Sequence, residues 1–370
     1  MENILPWFIL KSVPGIGNHL FKRLIDRFHS PELALKASQK DLSGIEGITP
    51  RLVAAIKQHR LSDLVKKDID LVMHKGYKIV TMSDTDYPPL LLQIPDPPPF
   101  LYVFGHLISP INNIAVVGSR NATRYGISTT QQLCKDLASL GITIVSGMAL
   151  GIDSAAHEGA FLAKGHTIAV LGSGLEVIYP KENRNLFYQI AEKGAVISEF
   201  PLMTEPEAKN FPIRNRIISG ICLGTVVVEA TNRSGSLITA RLAAEQGRDV
   251  FAVPGSIHSF KSIGTHTLIK QGAKLVEHAQ DIMEELLYVI EAPDRKENTI
   301  QNKTRPILPS LSSDESLVYD ALEPYPIHID DLIRTLSMEP GKLSSILLQL
   351  ELKDMIKQSP GKFFSLIDQI

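Results

Sequence analysis

At 370 residues, with 44% hydrophobic and 21% charged residues, the chain is long enough for two or three globular domains and a substantial core. Its formal net charge of -2 excludes a protein that is basic over its whole surface, so any nucleic-acid contact has to come from a local patch. Cys134 and Cys222 form no C-x-x-C pair and sit in apolar, helix-like surroundings, which fits reduced core thiols of a cytoplasmic protein.

The apolar run from Ile4 to Leu10 is interrupted by Pro6 and has no basic segment before it, so it does not read as a signal peptide. No stretch is long enough to span a bilayer, and no membrane partner is expected. Residues 1–75 carry one pattern twice. Val13-Pro14-Gly15-Ile16-Gly17 precedes a helix-like run with Leu20, Leu24, Ile25 and Phe28, and Leu42-Ser43-Gly44-Ile45-Glu46-Gly47 precedes one with Leu52, Val53 and Ile56. Both resemble helix-hairpin-helix units. Their glycine turns either present backbone N–H groups to a DNA phosphate or only join helices, and the acidic Glu46 favours the second role for the second turn. Residues 76–110 are Pro-rich and read as a connector with short strands near 77–81 and 100–104.

Residues 111–290 alternate between apolar, β-branched runs and helical spacing. Strands are expected at 114–117, 142–145, 167–171, 195–198, 225–229, 250–253 and 274–276, with helices between them. Such alternation implies an α/β fold: a Rossmann-like, doubly wound, mainly parallel sheet with its ligand site beyond the carboxyl ends of the strands. The turns at those ends are rich in glycine and serine: Gly118-Ser119-Arg120, Ser146-Gly147, Gly172-Ser173-Gly174 and Gly235-Ser236. Any one of these is ordinary βα-turn architecture, but several on one edge with cations nearby point to an anion pocket.

No nucleotide cofactor is expected. Gly172-Ser173-Gly174 has Val177 where the dinucleotide fingerprint needs its third glycine, and no Walker A loop occurs. Asp153 and His157 are spaced i, i+4, but no third ligand accompanies them, so no metal is expected and Asp153 reads as a helix cap.

The segment Phe211-Pro212-Ile213-Arg214-Asn215-Arg216 follows the strand at 195–198. Pro212 predicts a helix starting at that residue, which places two arginines in a first turn already carrying partial positive charge and so calls for an anion. Lys209 adds a third cation, and Phe211 either stacks on a base or plugs the helix start into the core. The buried face predicted from Ile213, Ile217, Ile218 and Ile221 includes Arg214 and leaves Arg216 pointing away, at about 100° per residue. Arg216 is therefore expected to face DNA, and Arg214 to be buried and paired with Glu199 or Glu229. Arg120 reads as the second phosphate ligand, with a structural salt bridge as its alternative.

Residues 291–311 have no apolar periodicity and read as a linker. Residues 312–370 show three helical segments and a hairpin turning at Pro360-Gly361, which resembles a winged helix. Its third helix offers Gln349 and Glu351 but no cation between Ser344 and Leu352, which favours packing or protein contact over reading of duplex DNA.

Several motifs in a fixed order resemble the DNA-processing protein A (DprA/Smf) family. They are Val117-Gly118-Ser119-Arg120, the run from Ser146 to His157, Tyr179-Pro180, Ser198-Glu199-Phe200-Pro201, Phe211 to Ile217, Ser234-Gly235-Ser236-Leu237-Ile238-Thr239-Ala240 and Val253-Pro254-Gly255. The resemblance implies a Rossmann-like core that binds single-stranded DNA, forms a homodimer and loads a RecA-type recombinase during natural transformation, without catalysis. Leu150 stands where many members carry arginine. The alternative is a nucleotide phosphoribohydrolase-like enzyme, with Glu229 as its carboxylate. Against it, the expected P-G-G-x-G-T-x-x-E motif is replaced by Leu223-Gly224-Thr225-Val226-Val227-Val228-Glu229.

Overall fold

The structure, a computed structural model, describes residues 4–59, 61–107, 112–290, 312–322, 327–336, 338–353, 355–359 and 361–366. The expected linker at 291–311 and Pro360 of the expected hairpin turn lie outside the described residues. The chain divides into two compact units, Met1–Asp294 and Arg295–Ile370.

The first unit begins with six short helices: α1 (Leu5–Lys11), α2 (Asn18–Phe28), α3 (Pro31–Lys36), α4 (Gln39–Ser43), α5 (Pro50–Gln58) and α6 (Asp63–Lys75). Ser30, Ser38, Thr49 and Ser62 cap α3 to α6 by accepting backbone N–H bonds, which sets where each helix starts. The sequence repeat packs reciprocally. Leu20 of α2 lies against Gly47, and Leu52 of α5 lies against Gly15, so each glycine turn seats the leucine of the other hairpin. Arg23 closes the second turn, donating to the Glu46 carbonyl and pairing with its carboxylate at 3.1 Å.

A nine-stranded sheet follows: β1 (Lys78–Thr81), β2 (Phe100–Gly105), β3 (Asn113–Val117), β4 (Thr143–Ser146), β5 (Thr167–Val170), β6 (Ala195–Ser198), β7 (Gly224–Val227), β8 (Asp249–Ala252) and β9 (Lys274–Leu275). Their spatial order is β1-β2-β6-β5-β4-β3-β7-β8-β9. Every residue of β3 to β7 is buried, which is why these strands read as continuous apolar runs rather than alternating ones. The two strands of the Pro-rich stretch belong to the same sheet, β2 running antiparallel to β6 and β1 antiparallel to β2.

Helices α7 (Arg124–Ser139), α8 (Ile152–Leu162), α9 (Arg184–Lys193), α10 (Asn210–Gly220), α11 (Gly235–Glu245), α12 (Ile263–Lys270) and α13 (Ala279–Ile290) complete the unit. From β3 the chain winds outward through β4, β5 and β6. It then returns to the other side of β3 and winds through β7, β8 and β9. The winding direction therefore reverses between β3 and β7, and the crevice beyond their carboxyl ends is where such a sheet leaves room for a ligand.

In the second unit, α14 (Ser313–Asp320), α15 (Ile329–Leu336) and α16 (Pro340–Leu352) pack with a three-stranded sheet. Its strands are β10 (Ile327–His328), β11 (Ile356–Ser359) and β12 (Phe363–Leu366), with β12 central. This is the winged-helix arrangement, around a core that includes Val318, Leu332, Leu343, Leu347 and Phe364. The lysines at the two ends of α16 are engaged: Lys342 in its first turn pairs with Asp314, and Lys353 just after it with Glu315, each at 2.6 Å. Among the described residues no helix is long and apolar enough to cross a membrane.

Candidate nucleic-acid interface

Helix α10 runs along the crevice, and its first residue is Asn210, two positions before the expected start at Pro212. Proline is accommodated in this first turn because the leading N–H groups of a helix have no intrahelical partner, so its missing donor costs nothing. Phe211 is consequently part of the helix rather than its outside neighbour.

Arg214 is buried as expected but without the expected carboxylate partner, and Arg216, expected to face DNA, is buried and holds that partner instead. Arg216 is 7% exposed. Its Nη2 donates to Glu199 Oε2 at 2.5 Å, and its Nε lies 3.1 Å from Asp96 Oδ2. Asn18 of the helical module donates to the same Glu199 oxygen at 3.3 Å. Arg216 is thus a strut between α10, the strand β6 exit and the N-terminal helices, and it is not available as a backbone ligand for DNA.

Arg214, also buried, pairs with neither Glu199 nor Glu229. Its Nη1 donates to the carbonyls of Gly147, at 2.9 Å, and Val170, at the ends of β4 and β5, and its Nε donates to Asn215 Oδ1 at 3.2 Å. Burial pulls its pKa down to about 10, partly offset by the Asp153 carboxylate. It remains a cation at neutral pH, and it lines the crevice. Helical spacing could not reveal this because α10 is buried all round from Arg214 to Gly220, against α11, β5 and the short turn at Leu91–Gln93.

The crevice is a cavity of about 580 Å³. One wall is the loop after β3, with Gly118, Ser119 and Arg120. A second is Phe211, Arg214 and Asn215 of α10, and a third is Thr231, Ser234, Gly235 and Ser236 leading into α11. Ser234 caps α11, so the positive end of that helix dipole also faces the cavity. Arg120 lies over the Phe211 ring, 5.1 Å from its centroid, with the Tyr179 ring at 5.8 Å. Among the described residues Arg120, Arg214 and two exposed neighbours in sequence, Arg124 and Arg233, form no ion pair. Arg120 and Arg214 line the cavity itself, and two guanidinium groups against the single lining carboxylate, Asp153, favour an anion there.

One carboxylate lines the cavity. Asp153, buried in the first turn of α8, accepts from the Ala149 N–H at 3.3 Å, and burial raises its pKa. Its i+4 companion His157 turns the other way, to Thr167 Oγ1 at 2.6 Å. Glu229 is not a cavity residue. It accepts from Thr123 N at 3.0 Å and Thr123 Oγ1 at 2.5 Å, against Gly126, so it anchors the start of α7.

Of the residues singled out by sequence, Gly118, Ser119, Arg120, Phe211, Arg214, Asn215, Gly235 and Ser236 converge on the cavity. Ser146, Gly147, Gly172, Ser173 and Gly174 lie behind its walls, and Lys209 lies outside it. Ser146 donates to Val116 O, and Ser173 donates to Val177 O. A methyl group at Gly147 would lie 2.7 Å from the Arg214 guanidinium, and one at Gly172 would lie 2.8 Å from the Phe211 ring. These two glycines therefore seat the side chains that line the cavity instead of contacting a ligand. Gly174 packs on the Leu202 carbonyl, and Lys209 is 73% exposed and paired with Glu207 at 2.6 Å. Asp153, Tyr179 and Ser234 were missed as site residues, although all three lie inside motifs visible in the sequence. Leu150, just after the cavity-lining Ala149, is exposed.

The family profile described as DNA recombination-mediator protein A matches residues 78–287, and one described as DprA winged helix domain matches residues 302–362. Protein Smf of Synechocystis sp. is 35% identical over 384 residues, covering 96% of both chains. The X-ray structure of DNA processing protein A from Streptococcus pneumoniae superposes with a TM-score of 0.62 at 36% identity, covering 73% of this chain and 98% of that one. DNA processing protein A from Helicobacter pylori, whose structure is described for its single-stranded DNA binding mode, superposes with a TM-score of 0.52 at 30% identity, covering 58% and 97%.

Proposed function

The chain belongs to the DNA recombination-mediator protein A (DprA/Smf) family, and on that premise we propose that it binds single-stranded DNA in the cavity between β3 and β7 as a DNA-processing protein of transformation. The observation that carries this reading is the placement of Arg120 over Phe211 beside the unpaired Arg214. A single-strand binder combines cations for the backbone with a ring for a base, and this cavity holds both. Its volume suits one nucleotide, whereas a paired duplex is too wide to enter. In this reading Arg120, Ser119, Ser234 and Ser236 hold phosphate oxygens, Arg214 supplies the charge behind them, and Phe211 stacks on the base once Arg120 moves to the backbone.

Loading of a RecA-type recombinase and homodimerisation complete the proposal and rest on family membership. No chemistry on the nucleotide is assigned. The Glu229 carboxylate of the hydrolase alternative is occupied by Thr123, outside the cavity. A salt titration comparing single strands, duplex and nucleoside monophosphates tests the reading. Tight, salt-dependent binding of single strands, with weak duplex binding and no release of free base, is expected. Equal affinity for duplex, or turnover of the monophosphates, would overturn it.

A further inference from the structure

Beyond the cavity, the loop after β8 carries an apolar surface that the site above does not use. Within seven residues Ile257, Phe260 and Ile263 are all exposed, Ile257 at 81% and Phe260 at 65%, and Tyr125 adds a fourth large side chain at 53%. Scattered exposed side chains need no explanation, but a cluster of this kind marks a contact surface. The loop is held in place. Ser262 N donates to Ser259 O at 3.0 Å and Lys261 N to Ser259 Oγ at 3.3 Å, forming the short helical turn that presents the Phe260 ring. Tyr125 Oη donates to Pro254 O at 3.0 Å, tying the start of α7 to the start of the loop.

Two bonds fix this surface beside the cavity. Lys261 Nζ donates to the carbonyl of Asn121, the residue after Arg120, and Lys261 O accepts from the N–H of Ala230 at 2.8 Å, the residue before cavity-lining Thr231. The Lys261 ammonium also lies 5.9 Å from the Phe260 ring centroid. An exposed ring with a cation against it, next to a phosphate site and adjoining the unpaired Arg124, repeats the chemistry of Phe211 and Arg120 on the outer side of the same edge.

We propose that Phe260, with Lys261 and Tyr125, is an outer stacking platform for the bases of single-stranded DNA leaving the cavity. The inference rests on the reading of the cavity as a single-strand site. A strand held at Arg120 that runs toward β8 passes over this loop, and its bases meet rings already exposed and fixed.

The test uses the full chain and oligo(dT) of two lengths, a dinucleotide that occupies the cavity and goes little beyond it and about twenty nucleotides to extend well past it. Phe260→Ala is expected to weaken the long oligonucleotide at least about fivefold, the low end for one stacked base, and to leave the short one unchanged. Because Phe260 is exposed, an unchanged melting temperature is expected for the variant. Trp7, the only tryptophan, is buried, so Phe260→Trp adds an accessible reporter whose fluorescence should be quenched by the long oligonucleotide only. Unchanged long-oligonucleotide affinity, equal weakening of both lengths, or absence of quenching would each overturn the platform. If Phe211→Ala still weakens both lengths in that case, the cavity reading stands without it. If Phe211→Ala weakens neither, the cavity reading has failed and the platform with it.

Discussion

Arg216 donates to Glu199 at 2.5 Å across the junction between α10 and the N-terminal helices, while Arg214, two residues earlier on the same helix, faces the sheet and has no carboxylate in salt-bridge contact among the described residues. A separation of two residues turns about 200° around a helix, so the two guanidinium groups necessarily serve different neighbours. One is neutralised within the fold, and the other lines the cavity with no salt-bridge partner among the described residues.

Removing Arg216 should therefore be a stability mutation. Arg216→Met leaves the Glu199 carboxylate buried without its main partner, at a cost of about 3–5 kcal/mol, and the double variant Arg216→Met with Glu199→Leu should recover most of that loss. Urea unfolding of the single and double variants measures it. In the folded protein, the salt slope of single-strand binding should not change.

Arg214→Gln should act on binding. We expect single-strand affinity to fall at least about tenfold and the slope of log K against log salt to shrink by about 0.7, the value for one lost counterion release on a single strand. Stability also falls, by about 1–3 kcal/mol, because the Gly147 and Val170 carbonyls lose their donor. A slope unchanged from wild type would show that Arg214 has no charge role.

Gly172→Ala separates the ring from the charges. The added methyl meets the Phe211 ring, which has to move, while Arg120 and Arg214, which lie against that ring at 5.1 and 5.9 Å, keep their charges. Affinity for single strands should drop by about three- to tenfold with the salt slope preserved, since part of one stacking contact is lost and no phosphate contact is. Fluorescence anisotropy across a salt series measures both quantities.

His157 sets a pH dependence of stability. Burial lowers its pKa to about 3, below the ordinary value of 6.5. The neutral ring is therefore favoured in the fold, and its contribution is fully present above pH 6.5 and is lost as pH falls from there toward about 3. At pH 5 the loss is about 2 kcal/mol relative to pH 7. His157→Gln, which cannot charge, should show a shallower decline of unfolding free energy between pH 7 and pH 5 than wild type, even if its stability at pH 7 is lower.

The sequence by itself determined the alternation of strands and helices, the fold class and the kind of chemistry at the carboxyl edge. Strands such as Ile114 to Val117 are buried on both faces and so appear as unbroken apolar runs, and Gly118-Ser119-Arg120 follows directly from the end of one of them. Tertiary structure alone decided which residues of those motifs line the cavity. Periodicity reports a contrast between a buried and an exposed side, and α10 has almost none, because the ends of β4 and β5 cover Arg214 while Glu199 and Asp96 enclose Arg216. The glycines at 147 and 172 were visible as turn residues, but their purpose depends on Arg214 and Phe211, which reach them from 67 and 39 positions away in the chain (214 − 147 and 211 − 172). Contacts of that range leave no local pattern in a single sequence, and they are what separates the strut Arg216 from the cavity-lining Arg214 here.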